Sequence, residues 1–173
     1  MDFKQGIMRA IGILKLDGAT IKQTAQDSDS FAMALIIPIL AGIAMAIGSL
    51  NPFGIIILPV FIIIGLFIGT AILWVTAMLL GGKAGFMELL KPLGHSEMLN
   101  WITVIPILGP MISPLLGIYM LVVGIATIKH VYNFSWGKAI AVVAIPTVII
   151  GVLMIIAGIA AFTFITAMLA SAQ

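Results

Sequence analysis

Long apolar stretches, separated by a few turn-forming or charged residues, run from Phe31 almost to the end of the chain. A helix that crosses a membrane needs about 20 consecutive apolar residues. The pattern therefore predicts an all-α fold, a polytopic membrane helix bundle, with its transmembrane domain over 31–170. At that length per crossing we predict about five transmembrane helices, over residues 31–50, 53–80, 94–108, 111–129 and 138–168.

The more polar residues 1–30 precede this domain. Apolar side chains recur there at helical spacing, which predicts an amphipathic helix over 3–16, lying at the membrane interface with Arg9 on its polar side. A short solvated or disordered leader is the alternative. The polar stretch 20–30 is expected to be exposed. The predicted apolar face comprises Phe3, Ile7, Ile11 and Leu14.

The apolar run over 98–128 is long for one membrane helix and short for two. Pro106, Gly109-Pro110 and Pro114 interrupt it, so we predict two helices joined by a turn at Gly109-Pro110. With five crossings, every Lys and Arg falls on one side of the membrane, which the positive-inside rule identifies as cytoplasmic. The N-terminus is then predicted to be cytoplasmic and the C-terminus to be outside.

The composition supports a membrane protein. Hydrophobic residues make up 62% of the chain and charged residues 8%, whereas soluble domains carry about a quarter charged residues. The net charge of +2 gives no reason to expect nucleic-acid binding. The chain has no cysteine, which excludes disulfides and thiolate chemistry. Because the C-terminal residues are uncharged, it stays open whether the run 139–170 crosses once or folds back.

Candidate chemistry is sparse. No charged residue is predicted at mid-membrane depth, where pumps and transporters usually need one. A metal site formed by His95, Glu97 and His130 has weak support from their spacing, so no metal ion is predicted. No catalytic residue and no cofactor are predicted either, and the protein is expected not to be an enzyme.

Polar residues at depth leave one alternative open. Threonines in apolar helices usually bond to their own helix or to a neighbouring one. A water-filled groove lined by Thr70, Asn100 and Thr103 would instead favour a small permease, a channel or a lipid-translocating protein.

Glycines at helical spacing predict close packing between the membrane helices, because small residues let two backbones approach each other. Gly117 and Gly151 fall at similar depth on consecutive antiparallel helices, and we expect them to face each other. The predicted packing positions are Gly65, Gly69, Gly117, Gly124, Gly151 and Gly158.

Basic residues near the predicted helix ends are candidates for interaction on the cytoplasmic face. Lysines at such positions attract anionic headgroups or a partner, or serve only to orient the protein in the membrane. The candidates are Lys83, Lys91, His95, Lys129, His130 and Lys138.

The chain resembles the Yip (Yip-one domain) family of five-pass membrane proteins over roughly residues 20–168, and two loop segments carry the resemblance. The first segment comprises 80–86 (LGGKAGF), 90–91 and 94–96. The second comprises 124–131 (GIATIKHV), Ser135, 137–139 and Pro146.

The resemblance implies a five-pass protein with a cytoplasmic N-terminus. Eukaryotic relatives interact with Rab-type GTPases and help to shape or traffic membranes. This chain lacks their long N-terminal region, which makes GTPase binding doubtful. In this short form it resembles prokaryotic members of the family, which implies a plasma-membrane location. The expected function is therefore that of a non-enzymatic protein that organises the membrane or binds a partner. The expected partners are the lipid bilayer, further membrane proteins or other copies of the chain.

Overall fold

The computed structural model describes residues 1–171, and within them all side chains except those of 110, 165, 167 and 169–171. This part of the chain contains helices and no strand. The helices are α1 (Phe3–Leu14), α2 (Gly18–Gln26), α3 (Ser30–Gly48), α4 (Gly54–Leu79), α5 (Phe86–Ser96), a 3₁₀ helix (Glu97–Val104), α6 (Leu108–Tyr132) and α7 (Trp136–Ser171).

The predicted all-α membrane bundle is confirmed. Four of the described helices have the length and composition to cross a membrane: α3, α4, α6 over Met111–Tyr132, and α7 over Trp136–Phe164. The last apolar run forms one continuous helix through Pro146, with no turn between Trp136 and Ser171. The predicted location of the C-terminus outside the cell concerns residues 172–173, which lie outside the described residues.

A fifth passage through the bundle is made by α5 and the 3₁₀ helix together. A Cβ on Gly94 would meet the backbone of Ala34, near the start of α3. A Cβ on Gly48, the last residue of α3, would meet the carbonyl oxygen of Thr103. The segment 94–103 therefore follows α3 from one end to the other. A 3₁₀ helix rises about 2.0 Å per residue against about 1.5 Å in an α-helix, so a short segment can cover this distance.

The turn into α6 falls earlier than predicted. The residue before a proline disfavours the helical conformation, and Ile105 before Pro106 is extended, which ends the 3₁₀ helix. Ile107 has a φ of 67°, an unusual value for a β-branched residue. Gly109 lies in the first turn of α6, where a Cβ would meet Thr103. The chain therefore turns over 105–107, and the prediction of a turn at Gly109-Pro110 was wrong.

The N-terminal helices pack on one end of the bundle, mainly against α5 and α6. The predicted amphipathic helix is α1, and it buries Gly6, Ala10 and Ile13. Phe3, assigned to the apolar face, is 53% exposed. The stretch expected to be exposed contains α2, whose Ile21 packs with Ile13 against α6. The spacing of hydrophobic residues did not predict which face of α1 is buried, because the glycine and alanine on that face contribute little hydrophobicity.

In the described part of the chain, none of the six glycines predicted as packing positions marks a close approach between helices. A Cβ built on each of them meets no atom of a neighbouring element within 4 Å in the described part of the chain. The expectation that Gly117 and Gly151 face each other was therefore wrong. Close approaches occur at other glycines, such as Gly42, where a Cβ would lie 2.4 Å from the backbone nitrogen of Pro59.

Candidate functional site at the polar end

Charged residues gather at one end of the bundle, which we call the polar end. It comprises α1, α2, the loop 80–85, the start of α5 and the loop 133–135 between α6 and α7. Every charged residue except Glu97 belongs to this end or to the helix turns that join it. Asp17 caps α2, because its carboxylate accepts from the backbone nitrogens of Ala19 and Thr20. The structure thus separates a charged end from an apolar body.

A group of buried and partly buried polar residues joins the N-terminal helices to the bundle. We call it the latch, and its members are Arg9, Asp27, Ser30, Lys91 and His95. Arg9 donates to the carboxylate of Asp27 and to the hydroxyl of Ser30. The ammonium of Lys91 donates to the carbonyl oxygen of Asp27 at 3.0 Å. Nδ1 of His95 lies 2.8 Å from the carbonyl oxygen of Lys91. The latch therefore connects α1, the α2–α3 junction and α5.

Electrostatics favours an ionised Asp27 in the latch. The backbone N–H of Asp29 donates to its carboxylate at 2.9 Å, and Arg9 forms an ion pair with it. These two hydrogen bonds hold the pKa of Asp27 below its ordinary value of 3.8, the bond from Asp29 having the larger effect. The carboxylate can consequently anchor Arg9 at neutral pH.

Two predicted surface candidates lie inside the latch. His95 is fully buried and Lys91 is 7% exposed, because α1 and α2 cover the start of α5. Neither side chain is accessible to a partner in this structure. The expectation that they belong to an interaction surface does not fit this burial, which depends on helices distant in sequence.

The other predicted candidates surround the loop between α6 and α7. Lys83 and Lys138 are exposed, whereas Lys129 and His130 are partly buried. The ammonium of Lys129 lies 4.2 Å from the centroid of the Trp136 ring. That of Lys138 donates to the carbonyl oxygen of Leu80 at 3.3 Å. These lysines thus hold the loop in place while they add positive charge to the surface.

Lys22 belongs to the same surface, although it was not among the candidates. Its ammonium donates to Oδ1 of Asn133 at 2.6 Å and so ties α2 to the α6–α7 loop. We call Lys22, Lys83, Lys129 and Lys138 the basic surface. A helix–loop pairing across more than a hundred residues has no signal in a single sequence.

The metal interpretation finds no support. His130 contacts the start of α2, where a Cβ on Gly18 would meet its ring, whereas His95 lies in the latch. Among the described residues, no three His, Cys, Asp or Glu side chains are placed to hold a metal ion.

A second polar site lies inside the bundle. Glu97, at the start of the 3₁₀ helix, lines a cavity of about 320 Å³ together with Thr70 and Asn100. α5 carries the chain into the bundle, so Glu97 lies among the helices; that no charged residue lies at mid-membrane depth stays a prediction. Thr103, also expected in such a groove, is buried elsewhere and donates to the carbonyl oxygen of Asn100.

The long apolar helices and the single charged end define a polytopic helical membrane protein. The model of the Yip1 domain family matches residues 11–170, nearly the whole chain. The chain therefore belongs to the Yip1 domain family, which confirms the resemblance seen in its loops. No curated protein matches the chain, and no solved structure matches it.

Proposed function

We propose that this protein is a non-enzymatic membrane protein that organises the bilayer or binds a partner through its polar end, which faces the cytoplasm. The observation that carries the proposal is the basic surface, in which three of the four lysines are held by contacts with the two loops and with the start of α7. Fixed lysines near headgroups attract anionic lipid or an acidic partner, each by about 1 kcal/mol. The same charges favour a cytoplasmic location.

The test measures how much phosphatidylglycerol the purified protein retains at low and high salt. We expect enrichment over phosphatidylcholine that salt weakens, because screening reduces the attraction between exposed charges. Lys129→Gln with Lys138→Gln should lower retention. Lys4→Gln with Lys15→Gln removes the same charge from exposed positions of α1 and its end, and should leave retention nearly unchanged. Equal retention in all variants would show that the lysines only orient the protein.

The cavity at Glu97 favours a second candidate function, the movement of a lipid or small solute. Two of the three residues expected in such a groove, Thr70 and Asn100, line it. The primary proposal predicts no saturable flux of ions, sugars or amino acids in sealed liposomes. Flux or lipid scrambling that is abolished by Asn100→Leu would establish the second function in place of the first.

A further inference from the structure

The cavity at Glu97 lies deep between the membrane helices. Thr70 lies nine residues before Leu79, the end of α4, which is about 14 Å along the helix axis. The hydrocarbon core of a bilayer is about 30 Å thick, so Thr70 lies near its middle. Polar groups at this depth are costly unless they are bonded, and they commonly mark functional sites.

The polar lining can accept further hydrogen bonds. Oε2 of Glu97 accepts from Nδ2 of Asn100 at 2.7 Å, and a carboxylate can accept several bonds. The hydroxyl of Thr70 is buried, at 1% exposure for the residue, and finds no partner within the described chain. No Lys or Arg is found among the described lining residues. A ligand that donates hydrogen bonds would satisfy both groups, whereas an anionic head would find no basic partner among these residues.

An apolar cavity of about 220 Å³ adjoins the polar one. Both are bordered by Gly69, Leu73, Leu93 and Met120. The apolar cavity extends to α7, where the hydroxyl of Thr147 donates to the carbonyl oxygen of Val143 and is no longer free for a ligand. The two cavities form one cleft with a polar part and an apolar part, as an amphiphile requires.

The cleft lies where the bundle is loosest. α4 and α6 pack little on one another, and Gly65 and Gly69 line the cleft without a side chain. A Cβ on either glycine meets no neighbouring element within 4 Å in the described structure. An opening between two membrane helices faces the lipid, so a molecule dissolved in the bilayer can enter sideways.

We propose that this cleft binds a membrane amphiphile: a hydroxyl- or ammonium-bearing head at Glu97, Asn100 and Thr70, and an alkyl chain between α4 and α7. The inference is independent of the function proposed for the polar end. Two sources offer this chemistry, the hydroxyl of a diacylglycerol and the ammonium of a phosphatidylethanolamine.

The experiment adds dioleoylglycerol or dioleoyl-phosphatidylethanolamine to the purified full chain in detergent. Native mass spectrometry then counts the bound lipid. We expect the first or the second lipid to bind one per chain, and Thr70→Val to weaken this binding about tenfold, as for the loss of a buried hydrogen bond. Thr163→Val, at an exposed position of α7, is the matched control and should have no effect.

Glu97→Gln distinguishes the two sources. It keeps an acceptor oxygen but removes the charge, so it should weaken the binding of phosphatidylethanolamine more than that of diacylglycerol. Binding of phosphatidylethanolamine that is lost in Glu97→Gln identifies the ammonium as the recognised group, whereas binding of diacylglycerol that changes little in Glu97→Gln identifies the hydroxyl.

Gly69→Leu fills the cleft and should prevent binding of either lipid, while the thermal midpoint and the phosphatidylglycerol retained at the basic surface stay unchanged. Binding that survives Thr70→Val and Gly69→Leu would overturn the proposal. Failure of the native chain to bind either lipid would overturn it as well.

Discussion

The two sides of the bundle are built differently. On the tight side, α5 and the 3₁₀ helix lie against α3 at backbone distance, and the latch satisfies most of its polar groups internally, although Nε2 of His95 is buried without a partner among the described residues. On the open side, α4 and α6 leave a cleft in which the hydroxyl of Thr70 has no partner among the described residues. What distinguishes Thr70 from the other buried polar groups without a partner is that it lines a cavity, where a ligand can bond it.

The largest loss of stability is expected from adding a side chain at Gly48, where α3 and the 3₁₀ helix are in backbone contact. A Cβ on Gly48 would lie 1.7 Å from the carbonyl oxygen of Thr103, so backbone must move to admit it. Gly48→Ala should therefore destabilise the bundle by about 3 kcal/mol or more, measured as the free energy of unfolding in detergent.

Gly69→Ala is the matched change on the open side. Because a Cβ there meets no neighbouring element in the described structure, we expect no loss, and a gain of about 0.5 kcal/mol from reduced chain entropy. Equal destabilisation by both changes would contradict the distinction between the two sides.

The latch is expected to show the next largest effect. Arg9→Met leaves the carboxylate of Asp27 without its ion pair and should lower the free energy of unfolding, because a polar group loses its partner. Lys4→Met removes a charge from an exposed position of the same helix and should change stability by less than about 0.5 kcal/mol. Similar small effects of both changes would mean that the latch does not hold α1.

These sites differ in how far the sequence predicted them. Length and hydropathy predicted the long helices, since a continuous apolar run of sufficient length indicates a membrane helix without information from the rest of the chain. The glycine spacing failed because periodicity describes one helix and not what lies opposite it: Gly48 and Gly94 pack closely, whereas Gly117 and Gly151 do not. Burial of His95 and exposure of Glu97 to a cavity likewise depend on elements far away in the chain.

A smaller loss of stability is expected when the pH is lowered. A carboxyl whose pKa is lowered on folding contributes stability above its unfolded pKa, and this contribution is lost as the pH falls through the folded pKa. For Asp27 the unfolded value is near 3.8, so the thermal midpoint should fall as the pH drops below about 4.

Asp27→Asn is expected to remove part of this pH dependence. The remaining pH dependence should come from Asp17, because hydrogen bonds from Thr20 also lower the pKa of its carboxyl. The change Asp17→Ser keeps a capping oxygen without a titrating group and serves as the control for that second contribution. A midpoint that does not change with pH in the native chain would contradict an anchoring role for the Asp27 carboxylate.

We expect α5 and the 3₁₀ helix to complete a fifth crossing of the membrane, which would place the basic surface in the cytoplasm. The chain has no cysteine, so single cysteines can be placed at Asn51, Ile107 and Asn133 and treated in intact cells with a reagent that cannot cross the membrane. We expect labelling at Asn51 and Ile107, and protection of Asn133 until the membrane is opened. Labelling at Asn133 with protection at Ile107 would contradict this expectation, because the chain would then cross the membrane only four times.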